Sequence, residues 1–326
     1  RLAGVSAATV SRVINQPELV AVTTRERVAL AIERTGYVPN RIAGGLASNR
    51  TGLVALIVPS ITRSVFNDTI QAMTGELMLA GYQVMLGLSG YEPGDIGATL
   101  DSVLSRRPDG VILTGLAEEP ALRRRLRATG IPLIETWELP ARPLDLAVGF
   151  SHQGAGRELA DFIAARGYRR PGVISANGPR ARQRSDAFCA RWRELGRDTP
   201  ACIEVPMPVS VAQGRRALAE LLRREPHTDV LLCSSDWLAL GVLIELRQRG
   251  LRAPDACGVV GFGNLDFAAD LEPALTTVHV DGAEIGRQSA RLLMQLARGE
   301  RPRTRMIDVG AHIIERQSLR RIEGVT

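Results

Sequence analysis

The sequence predicts a two-lobed α/β protein, two doubly wound parallel sheets with a small all-α head in front of them. Three observations lead there. From residue 52 onward, short β-branched runs alternate with amphipathic stretches, the pattern of parallel strands joined by crossover helices. Nine such runs and a late crossover are too many for one comfortable sheet, and 326 residues are about twice the usual domain length. The positive charge is also uneven: residues 1–50 hold seven Arg against Glu18, Glu26 and Glu33, while the other 276 hold 34 Arg against 32 acids. A basic unit ahead of a nearly neutral one points to a nucleic-acid or anionic-surface module attached to a binding or catalytic body.

The head comes first in the chain. Gly4-Val5-Ser6 reads as a turn, with Ser6 placed to cap a helix that starts at Ala7. Leu2, Val5, Val10, Val13 and Ile14 form the apolar side of two short helices meeting at an angle, which leaves Ala7, Ala8, Ser11 and Arg12 on the opposite face. Small residues at a helix start followed by one Arg suit close approach to the DNA major groove. Thr23-Thr24-Arg25-Glu26 is a capping-box pattern for a third helix, whose Val28, Ala29 and Ile32 pack back before it ends at Gly36. A plain three-helix cap on the α/β body is the other reading of the same spacing.

In the body, strands are expected over 53–58, 83–88, 110–114, 132–136, 147–150, 172–175, 202–205, 230–234 and 258–262. Helices are expected over 66–80, 96–105, 121–129, 154–166, 185–195, 212–224 and 238–249. One seam between lobes falls near 150–153 and a second near 277–281, followed by a helix over 283–298 that returns to the first lobe and a final strand over 306–314. The resulting division is a head at 1–40, a connecting segment at 41–51, a first lobe at 52–150 plus 281–310, and a second lobe at 151–280 plus 311–326.

Several functions are excluded. The chain has no Lys, all 41 basic residues being Arg, so a Walker A loop, a kinase ATP lysine and a Schiff-base lysine are impossible. Cys189, Cys202, Cys233 and Cys257 lack metal-ligand spacing, and three of them sit in apolar surroundings, which favours buried free thiols in a reducing cytoplasm. Gly261-Phe262-Gly263 follows a strand, but Asp266 replaces the third glycine of a dinucleotide fingerprint. His279-Val280-Asp281 reads as a surface pair rather than a metal site, and Glu118-Glu119 as a helix-start charge. No cofactor, metal or catalytic set is expected. No apolar run approaches a membrane span and Arg1-Leu2-Ala3-Gly4 is no secretory signal, so a cytoplasmic protein is expected.

The segment Leu2-Ala3-Gly4-Val5-Ser6, Thr9-Val10-Ser11-Arg12-Val13-Ile14-Asn15, then Thr24-Arg25, Val28 and Gly36-Tyr37, Pro39-Asn40, closely resembles the DNA-binding head of LacI-family transcriptional regulators. The resemblance runs on through Asp109-Gly110-Val111-Ile112, Ile131-Pro132, Ser235-Asp236, Ala239, Gly241, Val259-Val260-Gly261-Phe262 and Leu275-Thr276-Thr277-Val278, to Glu315-Arg316-Gln317-Ser318. It implies a helix-turn-helix head, a hinge helix and a periplasmic-binding-protein-like core, working as a homodimer on a pseudo-palindromic operator. Relative to the family the first head helix is cut, its opening residues preceding Arg1. By motif position Ala7, Ala8 and Arg12 face base edges, and Ser6, Thr9, Ser11, Asn15, Thr24, Tyr37 and Asn40 touch or support phosphates. In the hinge, Ala43 and Leu46 meet the DNA, Leu46 wedging into a minor-groove step. Gly44-Gly45 disfavours helix there by about 1 kcal/mol per residue, and the family often has Arg where Gly44 stands.

In a doubly wound fold, ligand groups come from loops after strand C-termini. Those loops supply Ser60, Ser64, Phe66, Trp137, Phe150, Arg184, Ser235, Asp236, Trp237, Gly263, Asn264 and Asp266. Arg184 matches the family's effector-binding arginine, while Arg180 and Arg182 read as solvated. The family usually has Asp where Gly263 stands, and losing that charge favours an anionic effector. Glu135-Thr136-Trp137-Glu138-Leu139 and Gly149-Phe150-Ser151-His152 are similar to the gluconate-operon repressor branch, implying a sugar acid such as gluconate. Effector binding would close the lobes and shift a dimer surface around 66–80 and 83–90. A periplasmic-type sugar-binding protein and a metabolic enzyme with a helical appendage are the alternatives.

Overall fold

The computed structural model describes residues 2–37, 51–62, 65–91, 95–115 and 119–322. In the head, α1 (Ala7–Asn15) starts where the Ser6 hydroxyl accepts a hydrogen bond from the Thr9 amide at 3.1 Å. A 3-10 turn, Pro17–Leu19, leads to α2 (Val22–Thr35), which Gly36 ends in the left-handed conformation at φ +60°. Three details differ from expectation. Residues 2–5 form a turn rather than a helix, braced by Arg27, whose Nη2 donates to the Ala3 carbonyl at 2.7 Å. The capping box does not form: α2 begins one residue before Thr23, behind Ala21, whose methyl offers no acceptor. Ala29 is exposed, and Val28 is the residue of α2 that is buried.

The two sheets are wound in the same order. The first contains β1 (Leu53–Val58), β2 (Gln83–Leu88), β3 (Gly110–Thr114), β4 (Leu133–Thr136), β5 (Leu146–Gly149) and, far later, β11 (Met306–Asp308), arranged β11-β5-β4-β3-β1-β2 and parallel throughout. The second contains β6 (Pro171–Ala176), β7 (Ala201–Val205), β8 (Val230–Cys233), β9 (Gly258–Phe262), β10 (Thr276–His279) and β12 (His312–Ile314), arranged β12-β10-β9-β8-β6-β7 with only β12 antiparallel. Strands covered by helices on both faces must be apolar along their whole length, and β3, β4, β5, β6, β8 and β9 are buried at every position. The cover of the first sheet is α3 (Asn67–Leu79), α4 (Asp95–Leu104), α5 (Pro120–Thr129) and α10 (Gly282–Ala297); that of the second is α6 (His152–Ala165), α7 (Pro179–Glu194), α8 (Val211–Arg224) and α9 (Asp236–Gln248).

The chain passes between the lobes three times: after β5, after β10 and between β11 and β12. The expected final strand over 306–314 is therefore two strands, one in each sheet, divided near Gly310 at φ +72°. Helix α7 begins six residues before the expected 185, because Gly178 and Pro179 supply an N-cap and a first-turn proline. Where the chain enters β1, the Asp109 carboxylate accepts from the amides of Thr51 at 2.7 Å and Gly52 at 2.9 Å, anchoring the start of the first lobe.

Helices α6 and α7 touch through Gly156, where an added Cβ would fall inside the carbonyl of Arg184. The Gly156→Ala substitution should therefore lower the unfolding free energy by about 1–3 kcal/mol in a denaturant titration. Gly97→Ala in α4, where a Cβ meets nothing among the described residues, should instead raise it by about 0.5–1 kcal/mol.

Candidate effector cleft and DNA-reading head

The C-terminal ends of the two sheets face one another across a cleft, the position where doubly wound folds bind ligands. An aromatic wall runs along it. Phe66 meets Trp137 edge-on at 5.0 Å between ring centroids, Trp137 meets Phe150 at 6.2 Å, and Phe150 stacks with Phe262 at 6.2 Å. Trp137 sits in the left-handed region at φ +69°, an unusual state for a bulky residue and of a kind that gathers at functional sites. Its indole Nε1 donates to the Thr69 hydroxyl at 3.1 Å, which fixes the ring.

Arg184 projects from the second turn of α7 and lies flat on Phe262, its guanidinium carbon 3.7 Å from the ring centroid. Its Nη1 donates to His152 Nδ1 at 3.0 Å and its Nη2 to the Ser234 carbonyl at 3.2 Å. On its other side His152 Nε2 lies 3.0 Å from the Trp137 carbonyl. A carbonyl only accepts, so the imidazole proton is on Nε2 and Nδ1 is the acceptor for Arg184. Burial, then Arg184 and Arg180, pull the His152 pKa down to about 2, so the ring stays neutral. Burial, then Arg180, lowers Arg184 to about 9, which leaves it cationic at neutral pH. Beneath Arg184 a cavity opens, bounded by Gly156, Ser175, Ala181, Ser234 and Phe262.

Arg180 corrects the sequence reading, which had it solvated. It sits one turn before Arg184 on the same face of α7, reaches across the cleft to within 3.8 Å of Glu138, and stands 5.0 Å over the Phe66 ring. Its Nη1 is buried with no acceptor among the described residues, and burial lowers its pKa. Arg180, Glu138 and His152 are the cleft residues that strand-end reasoning missed. The available signal was the i, i+4 spacing of Arg180 and Arg184, hidden by the late helix start expected for this segment.

Other expected residues are placed differently. Asp236 is fully buried: its carboxylate accepts from the Thr277 hydroxyl and the Leu265 amide, both at 2.7 Å, so it ties β10 to the loop after β9 rather than facing the cleft. Ser235 caps α9 through the Trp237 amide, and exposed Asp266 turns back on the Phe267 amide. Asn264 is held by Arg316 at 2.7 Å and lies 3.3 Å from His279, which pairs edge-on with His312 at 4.9 Å. The half-buried Ser60 hydroxyl accepts from the Thr62 amide. Trp237 packs on Phe267 at 4.9 Å with its indole Nε1 buried and without an acceptor among the described residues. At Gly263, φ is +127° and a Cβ would press on Val65 from the opposite lobe. Ser64 lies outside the described residues.

In the head, Ser6, Ala7, Ala8, Ser11 and Arg12 are exposed together on α1, and Thr9, half-buried, bonds the Ser6 hydroxyl at 2.9 Å. Asn15 closes α1, Thr24 is half-buried in the first turn of α2, and Tyr37 is 51% exposed. Asn40, Ala43, Leu46 and the whole hinge over 41–50 lie outside the described residues.

The profile for bacterial regulatory proteins of the lacI family matches residues 1–40, and that for a periplasmic binding protein-like domain matches 160–319. The chain is 32% identical over 320 residues to the HTH-type transcriptional regulator GntR of Pseudomonas aeruginosa, covering 98% of this chain and 93% of that one. It is 31% identical over 310 residues to GntR of Escherichia coli, covering 94% and 93%. The chain belongs to the LacI family. A crystal structure of a LacI-family regulator from Silicibacter pomeroyi superposes with a TM-score of 0.91 at 36% identity, over 98% of this chain and 97% of that one. This LacI-family protein is a DNA-binding transcriptional regulator, and its relatives are regulators rather than enzymes. Among its described residues no helix is long and apolar enough to cross a membrane.

The buried imidazole gives this regulator an acid sensitivity. Unfolded, His152 takes up a proton near pH 6.5, whereas folded it stays neutral down to about pH 2. Stability is thus complete above pH 6.5 and falls as pH drops through that window, by about 2 kcal/mol at pH 5. His152→Asn should flatten that part of the pH–stability curve in urea titrations.

Proposed function

We propose that the chain is a repressor whose hold on operator DNA is controlled by a sugar acid, gluconate or a phosphorylated relative, bound between the lobes. The observation that carries the anionic ligand is the Arg180–Arg184 pair. Two guanidinium groups share one face of α7, and one of them has a buried Nη1 in the cleft with no acceptor among the described residues. A buried donor of this kind is satisfied by a ligand oxygen, and a planar fork suits a carboxylate or phosphate. The faces of Phe66, Trp137, Phe150 and Phe262 offer an apolar wall for the carbon chain of a polyol, with Trp237 Nε1 as a further donor.

On the DNA side, exposed Arg12 reads a guanine edge while Ala7 and Ala8 permit close approach, in the manner of a recognition helix. The working unit is a homodimer formed through α3 and β2, supported by the exposed apolar side chains of Met78, Leu79, Leu86 and Leu88 at 62%, 90%, 42% and 50%. Ligand binding closes the lobes, shifts that face and separates the heads, with a coupling of about 1–3 kcal/mol. Acting on operator DNA places the protein in the cytoplasm.

Thermal shifts with D-gluconate, its phosphate ester and neutral sugars test the ligand class. The acids should raise the melting temperature and neutral sugars should not; the reverse result would sink the anionic reading. Arg184→Ala should abolish release of operator by the stabilising acid while leaving ligand-free operator binding intact. Arg180→Ala should weaken acid binding roughly 10-fold or more by calorimetry, and an unchanged affinity would remove Arg180 from the site. In gel-shift titrations Arg12→Ala should weaken operator binding by about 1–3 kcal/mol and random-duplex binding far less. Equal losses would reduce Arg12 to a phosphate contact.

A further inference from the structure

Away from cleft and head, two thiols approach each other. Cys189, on the outer half of α7, and Cys202, on β7, have their sulfur atoms 3.8 Å apart. The expected buried free thiols are Cys233 and Cys257; Cys189 is half-buried and Cys202 is exposed at the edge strand of the second sheet. The helix and the strand are already clamped beside them. Arg182 of α7 forms a bidentate ion pair with Glu204 of β7, both bonds at 3.0 Å. A disulfide needs the sulfurs about 2 Å closer, within reach of side-chain rotation on a backbone held in this way.

We propose that Cys189 and Cys202 form a peroxide-reactive pair that closes to a reversible intramolecular disulfide on the helix presenting Arg180 and Arg184. The division of labour follows from their exposure. Cys202 is open to solvent where Cys189 is half-buried, so a small oxidant meets the Cys202 sulfur first, and its thiolate is the one that attacks. Its sulfur attacks one peroxide oxygen, the O–O bond breaks, and Cys202 becomes a sulfenic acid as hydroxide leaves and is protonated to water. The Cys189 sulfur then displaces the sulfenic hydroxyl, its own proton leaving in the second water. In sum two thiols and one hydrogen peroxide give one disulfide and two waters; sulfur is oxidised and peroxide is reduced. The bond closes a ring over residues 189–202 and pins the outer half of α7 to the sheet edge. Thiol reductants reverse it, as expected for a site that reports oxidant rather than one that builds the fold.

The test uses the reduced, full-length chain with stoichiometric hydrogen peroxide and no denaturant. Free thiols should fall from four to two, and tryptic digestion should join peptide 185–191 to peptide 198–215. Dithiothreitol should restore all four thiols. Cys189→Ser should leave a Cys202 sulfenic acid that dimedone captures, while Cys202→Ser leaves Cys189 unmodified at the same dose. Four thiols remaining in the wild-type chain, thiol loss only through cross-links between chains, or equal dimedone labelling of the two variants would each overturn the proposal.

Discussion

Two guanidinium ions one helical turn apart repel each other, and in a cleft with restricted water that repulsion is screened less than at the surface. The surroundings of Arg180 and Arg184 are organised around this strain. Glu138 approaches Arg180 from the opposite lobe, Phe66 and Phe262 present their π faces to the two cations, and His152 is held neutral so that no third positive charge enters. Each partner of the pair is weakly hydrated and delocalised, which is why arginine tolerates such a position and lysine would not. The charge of the pair is met from both sides of the cleft, because Arg180 belongs to one lobe and Glu138 and Phe66 to the other.

Most strands were legible because helices cover them on both faces, so their residues must be continuously apolar. The exceptions have the same physical origin. Strand β10 reads Thr-Thr-Val-His and lies beside a crossing between lobes, so its polar residues serve Asp236, Ser318 and Asn264 instead of a core, and no apolar run marks it. Helix α7 carries arginines at 180, 182 and 184, and the two that turn into the cleft leave no apolar stripe in its first turns. For the cleft, topology named the right loops but not the direction of each side chain. Asp236 and Asn264 stand on those loops and are taken up by internal hydrogen bonds, whereas Arg180, dismissed as solvated, is turned inward. Whether a polar residue faces ligand or protein depends on partners distant in sequence, which spacing alone does not reveal.

Gly263 shows how a position without a side chain serves contact between the lobes. The space its side chain would take is met by Val65, which arrives from the other lobe. An aspartate there would have to displace that methyl group and adopt a strained backbone at φ +127°. The position therefore serves an apolar contact between the lobes and adds no charge beside the arginines.

The repeated passage of the chain between lobes also affects how the protein is made. The core of the first lobe includes Ile285, Ala290, Leu292 and Leu293 of α10, packed with Val54, Met73 and Ile134. These residues leave the ribosome only after β6 to β10 of the second lobe have emerged. During synthesis the earlier half must wait, one flank of its sheet uncovered, while most of the later half is made. Neither lobe of the nascent regulator is a finished body until the last tenth of the chain has emerged, because β11 completes the first sheet and β12, Ser318 and Leu319 then complete the second.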